Sequence, residues 1–136
     1  MMIAAVDRLI PAPVDIVWNL ISTSEGLLEW MAVEAEVDLN PGGAIRWTHE
    51  NDAVVAGSVV EVVPMRRLVL TYGWESGGFP IEPGSTTVTI ELESRGGATM
   101  VTVRHEGLDD EMAKAHTEGW THFVGRLCER AEGDET

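Results

Sequence analysis

Residues 87–127 read TVTIELESRGGATMVTVRHEGLDDEMAKAHTEGWTHFVGRL, and a change of period inside this stretch decides the fold. Up to His105 the period is two. Val88, Ile90 and Leu92 alternate with Thr87, Thr89, Glu91 and Glu93. Ser94-Arg95-Gly96-Gly97 turns the chain, and Val101, Val103 and His105 then share one face, with Thr102, Arg104 and Glu106 on the other. This is an antiparallel hairpin with one buried and one wet face. Asp109-Asp110-Glu111 then makes an acidic first turn suited to the positive end of a helix dipole. Beyond it Met112, His116, Gly119, Trp120, Phe123 and Leu127 fall in one broad stripe at a step of roughly 100°. A helix to about Ala131 is predicted, with residues 132–136 as a frayed acidic tail. The sheet must cover its apolar face, and only this helix is long enough to do so.

Upstream the alternation continues. Arg67 to Trp74 and about Val54 to Val63 read as strands, the latter stopped by Pro64. Ile45, Trp47 and His49 share a face opposite Arg46, Thr48 and Glu50, and Val33, Ala35, Val37 and Leu39 alternate with Glu34, Glu36 and Asp38. Asn40-Pro41-Gly42-Gly43 is a turn, with Pro fixing one φ and Gly permitting a positive one. Tyr72 and Trp74 share parity with Leu68 and Leu70, but Val69 and Thr71 make the opposite face apolar enough to leave this register open. The connection Glu75 to Gly84, carrying Phe79 and Pro80, is longer than a hairpin needs and reads equally as a lid or as an exposed loop.

The chain opens with a strand from Ile3 to Ile10. Pro11-Ala12-Pro13 can begin a helix, because proline lacks an N–H that would have no intrahelical partner there. Val14, Val17, Trp18 and Ile21 form its apolar face. Ser22-Thr23-Ser24 offers an N-cap to a second short helix carrying Leu27, Leu28, Trp30 and Met31. The order is therefore one strand, two short helices, six strands and a long helix, an α+β arrangement in which a curved antiparallel sheet grips the C-terminal helix and leaves space beneath it. No repeat, low-complexity tract or linker interrupts it, so residues 1–136 are read as one domain.

Several stretches together resemble a known family. They are Pro13-Val14-Asp15-Ile16-Val17-Trp18, Leu39-Asn40-Pro41-Gly42-Gly43 with Arg46, Gly57 through Val63-Pro64, Arg67-Leu68-Val69, Thr99 to Val103 leading into His105-Glu106-Gly107-Leu108, and Gly119-Trp120. In this order and spacing they resemble the activator of heat-shock protein 90 ATPase homologue group of the START-like, or SRPBCC, superfamily. The resemblance implies the Bet v 1 helix-grip fold: a curved seven-stranded antiparallel sheet around the C-terminal helix, two short helices between strands 1 and 2, and a mostly apolar cavity. The eukaryotic co-chaperones of this group carry a further N-terminal chaperone-binding domain for which 136 residues leave no room, so the fold carries over better than the co-chaperone activity.

Composition narrows the partners. Nine Lys and Arg face 23 Asp and Glu, a formal charge of −14. Nucleic acid is disfavoured because phosphate binding needs a basic footprint, and an anionic membrane surface is disfavoured for the same reason. No apolar run is long enough to span a bilayer, and the start of the chain lacks a targeting pattern, which together with the lone Cys128 reads as a reducing, cytoplasmic setting. The carboxylates Glu34, Glu36, Asp38, Glu50, Glu91 and Glu93 all fall on the wet face of the sheet.

Five of the eight aromatic residues are Trp. Trp47, Tyr72, Trp74 and Trp120 are candidate cavity-wall residues, because buried indole and phenol groups still want a hydrogen-bond partner. Trp18 and Trp30 are expected to pack the closed end. His49 and His105 point inward by strand parity, His116 lies mid-stripe on the helix, and His122 sits at the stripe's margin, facing solvent. A ligand site is thus drawn from Trp47, His49, Tyr72, Trp74, His105, His116 and Trp120. Metal binding is not expected, since there is no His-Glu-x-x-His pair, no Cys cluster, and His116 and His122 are six apart, off one helix face. No nucleophile elbow or phosphate-cradling glycine loop is present, and no cofactor is expected.

The leading expectation is a protein that binds a small hydrophobic or aromatic molecule. Two alternatives accompany it: an enzyme resembling polyketide cyclases or dehydratases, with His105 or His116 as acid or base, and a stress-response or co-chaperone module that uses its surface. An edge-strand or helix-mediated homodimer is compatible with each.

Overall fold

A computed structural model describes residues 2–134. The elements run β1 (Met2–Ile10), α1 (Val14–Ser22), α2 (Ser24–Trp30), β2 (Glu34–Val37), β3 (Ala44–Thr48), β4 (Val54–Val63), β5 (Arg67–Ser76), β6 (Thr86–Arg95), β7 (Ala98–Leu108) and α3 (Asp110–Asp134). Strands β2 to β7 form an antiparallel meander, and β1 adds to its far side against β7, giving the order β1-β7-β6-β5-β4-β3-β2. Period two is visible in the packing. Ile45 and Trp47 on β3, Leu68, Leu70 and Tyr72 on β5, Val88, Ile90 and Leu92 on β6, and Val101, Val103 and His105 on β7 are all buried on the side facing the helices. The six carboxylates assigned to the wet face are all exposed.

Local chemistry explains the helix ends. Pro13 enters α1 with φ −66° and ψ 155°, and Asp15 occupies the first turn. Thr23 caps α2, its hydroxyl accepting the Gly26 N–H at 2.8 Å. The buried Trp30 indole donates to the Leu20 carbonyl at 2.7 Å, tying α2 to α1. Thr99 donates to the Ala12 carbonyl at 2.8 Å and so fixes the start of β7 against the β1–α1 corner.

The sheet curves where its ladder is interrupted. Register shifts fall between Val54 and Val55 and between Val59 and Glu61 on β4, and the intervening Val60 is turned out to solvent. Gly57 lies in the same strand, where a side chain has no room: an added Cβ would overlap the Thr71 carbonyl oxygen of β5, while the next residue, Ser58, donates its N–H to the Thr71 hydroxyl at 2.8 Å. Gly57→Ala is therefore expected to cost at least about 1–3 kcal/mol by forcing β4 and β5 apart, read as a lower urea midpoint. A midpoint equal to wild type would show that the strands separate freely here.

Two expectations need correction. Helix α3 continues to Asp134, so residues 132–134 are helical and not a frayed tail; the fully buried Ala131 anchors this last stretch against the core. Glu135 and Thr136 lie outside the described residues. Strand β2 is also shorter than the alternation suggested: Val33 is 52% exposed, because this outermost strand has a neighbour on one side only. Among the described residues no helix is long and apolar enough to cross a membrane.

Candidate functional site

A cavity of about 360 Å³ lies between the concave face of the sheet and α3. The sheet contributes Tyr72 and Trp74 from β5, the β3–β4 turn contributes His49, Glu50 and Asn51, and Met31 closes the side next to α2. Helix α3 supplies Ala115, His116, Gly119, Trp120, His122, Phe123 and Arg126, and Phe79 comes from the loop between β5 and β6. That loop is anchored. Ile81 is buried in a small satellite core with Ala4, Leu108 and Ala113, and its carbonyl accepts the Trp74 N–H at 2.6 Å. Gly73 and Gly78 make this close approach possible, since a Cβ on the first would overlap the Glu82 carbonyl and on the second the Trp74 ring. Phe79 then stands over Trp74 and His116, with ring centroids 5.6 and 4.9 Å away. The loop thus covers one end of the cavity.

Three indole–imidazole hydrogen bonds organise the wall. Trp47 donates to His49 Nε2 at 3.1 Å, Trp74 to His116 Nε2 at 3.0 Å, and Trp120 to His105 Nδ1 at 3.2 Å. An indole can only donate, so each accepting nitrogen is unprotonated and the proton sits on the other one. Each of those N–H groups has its own acceptor. His116 Nδ1 donates to the Met112 carbonyl at 2.8 Å, His49 to the Met31 carbonyl, and His105 Nε2 to the Thr86 hydroxyl at 2.8 Å. Thr86 passes the chain on to the Tyr72 carbonyl at 2.7 Å. All three imidazoles are therefore held neutral. Burial pushes each below the usual histidine range, and for His105 burial together with the neighbouring His116 lowers the value to about 3.

Tyr72 stands at the centre of this wall, its ring 4.4 Å from His105, 5.8 Å from Trp47 and 6.0 Å from both His116 and Trp120. It is 4% exposed, yet none of the described residues hydrogen-bonds its hydroxyl. Burial raises its pKa, so the hydroxyl keeps its proton and is available as a donor.

A family model described as activator of Hsp90 ATPase homolog 1-like protein matches residues 11–132. The chain belongs to this family. Solved structures place the AHSA1-type chain in the Bet v 1-like helix-grip fold. DynU16, a protein of the dynemicin biosynthetic locus, superposes with a TM-score of 0.84 at 24% identity over 98% of this chain. The present chain spans about half of DynU16, 48% of its length. The Aha1 dimer from Colwellia psychrerythraea gives a TM-score of 0.80 at 20% identity, over 97% of both chains. CalU16 from Micromonospora echinospora gives 0.76 at 23%, over 97% of this chain and 75% of its own. No curated protein matches the chain by sequence.

Within this AHSA1 domain the seven residues singled out from the sequence come together in two layers. His49, Tyr72, Trp74, His116 and Trp120 line the cavity, while Trp47 and His105 stand directly behind, holding His49 and Trp120. The open register of β5 resolves with Tyr72 and Trp74 inward, Tyr72 opposite Thr86 of β6. Trp18 and Trp30 pack the main core with α1 and α2 and do not line the cavity. His122 is exposed, as its marginal place on the stripe suggested, but it borders the cavity mouth with Phe123. Phe79, Phe123, Arg126, Glu50 and Asn51 are not among the expected site residues, although the sequence places Phe79 in a candidate lid and Glu50 on the wet face. Phe123 was visible as part of the helix stripe, and Arg126 lies one turn beyond His122 on the same margin. Cys128 is buried on α3, and burial raises its thiol pKa, the opposite of what a nucleophile requires.

Proposed function

We propose that this protein binds a small apolar or aromatic molecule in the cavity between the sheet and α3. The observation that carries this reading is a void of about 360 Å³, walled by Trp74, Phe79, Trp120 and Phe123 and lined also by Tyr72, whose hydroxyl has no hydrogen-bond partner among the described residues. Ligand sites characteristically combine such an apolar wall with a few placed polar groups, and this volume is near the small end of their range. Catalysis by His105 or His116 is supported less, because both ring nitrogens of each already hold a hydrogen bond and both are shifted away from the neutral range that acid–base chemistry uses.

Gly119 gives the direct test. It lines the cavity, and a Cβ built on it meets nothing within 4 Å. Gly119→Leu is expected to fill the void, to weaken binding of the fluorescent probe 1-anilinonaphthalene-8-sulfonate at least roughly tenfold, and to leave the fold intact, since Leu is the better helix former. Probe affinity unchanged in this variant would place binding outside the cavity and sink the proposal.

A further inference from the structure

Arg126 differs from most of the other basic residues. In a chain with 23 acids and nine bases, Arg46, Arg67, Arg95, Arg104 and Arg130 each lie against a glutamate, within 4 Å. Arg126 is half-buried and lines the cavity mouth, and among the described residues no carboxylate lies within salt-bridge distance of it. Glu50 lines the same mouth and does not reach it. A cation held next to aromatic walls, in a protein with so many carboxylates to spare, is placed where an anion can meet it with little competition. Across the cavity the Tyr72 hydroxyl, protonated and without a partner, offers a single donor deeper inside.

We infer that the ligand is a compact aromatic acid: a flat ring system seated between Trp74, Phe79 and Phe123, with its carboxylate at the mouth on Arg126. This rests on the cavity being the binding site and adds the ligand's charge and orientation. The aromatic walls favour a planar body, because rings gain from offset or edge-to-face contact beyond the area they bury. The guanidinium fork matches a carboxylate in a way that a point charge does not. The overall charge of −14 opposes any anion at long range, but at physiological salt that field is screened over roughly 8 Å, while a contact at hydrogen-bond distance on a half-buried group is not.

The test is a matched pair, 2-naphthoic acid and 2-naphthamide, titrated at about 0.15 M salt with tryptophan emission and calorimetry as readouts. The acid is expected to bind at least roughly tenfold more tightly than the amide. Arg126→Gln should remove that preference by weakening the acid at least roughly tenfold more than the amide, and Arg126→Lys should keep part of it; both variants should unfold at the wild-type urea midpoint. Equal affinities for acid and amide in the wild-type protein, or a preference that survives in Arg126→Gln, would overturn the assignment of the carboxylate to Arg126 while leaving an aromatic cavity in place. If neither naphthalene binds, and the anilinonaphthalene probe fails as well, the cavity reading falls and this inference with it.

Discussion

Trp120→Ala is expected to remove most of the protein's stability. The side chain is 5% exposed and packs against Tyr72, so its loss should cost about 3–5 kcal/mol through lost contacts and the space left behind. Its absence also leaves His105 Nδ1, at 0% exposure, without the donor it now has, for about 1–3 kcal/mol more. Together these approach the whole stability of an ordinary domain, about 5–15 kcal/mol. Trp120→Phe separates the two parts: it keeps most of the ring and loses the N–H, and should cost about 1–3 kcal/mol. Urea unfolding with an unchanged slope measures both. A Phe variant as stable as wild type would mean that the indole–imidazole bond contributes nothing.

Acid should destabilise the fold well before the carboxylates titrate. In the unfolded chain a histidine takes up its proton near 6.5, whereas in the folded protein His105 does so only near about 3. Between those values the unfolded chain holds more protons, so stability is full above about pH 6.5, falls as pH is lowered, and stops falling through this group only near pH 3. At pH 5 the loss from His105 alone is about 2 kcal/mol. His49 and His116, also lowered by burial, add to it in the same direction. The range from pH 7.5 to 5 isolates the effect, because ordinary carboxylates remain charged there. Histidine-resolved NMR should find His105 neutral at pH 5 while the urea midpoint has already dropped. A His105 resonance titrating near 6.5, or a midpoint that stays flat over this range, contradicts the neutral network.

What could be read from the sequence follows from how local the information is. On β6 and β7 the alternation of Val88, Ile90, Leu92 and Val101, Val103, His105 assigned the inward face unaided, because period two was written in adjacent residues and only one face was apolar. His49 was placed correctly even though it lies one residue past β3, since parity persists for a residue beyond the ladder. Parity failed to decide β5, where Val69 is also buried and only its neighbours reveal that Tyr72 faces the helix. Phe79 sits in a loop with no period at all, and its position depends on the anchoring of Ile81 against β1, β7 and α3. The histidine tautomers were equally out of reach, because each is set by an indole or carbonyl from another part of the chain, as with Trp74 and His116, 42 residues apart. Glu50 and Arg126 looked like ordinary surface charges, and only the curvature of the sheet brings them to one opening.

The three indole–imidazole bonds also bear on the binding role proposed for the cavity. By spending the imidazole nitrogens and the indole N–H groups on one another, the inner wall becomes chemically mute: it presents shape to a guest and, apart from the Tyr72 hydroxyl, nothing for a guest to bond. On the proposed binding role, preference is then written on Ala115, Gly119, His122, Phe123 and Arg126 along one side of α3 and on Phe79 from the β5–β6 loop. The side-chain hydrogen bonds that tie the core together use none of these six side chains. The foundation and the vocabulary of recognition are therefore separable, and new specificities can be composed on the rim of this fold without reopening its core.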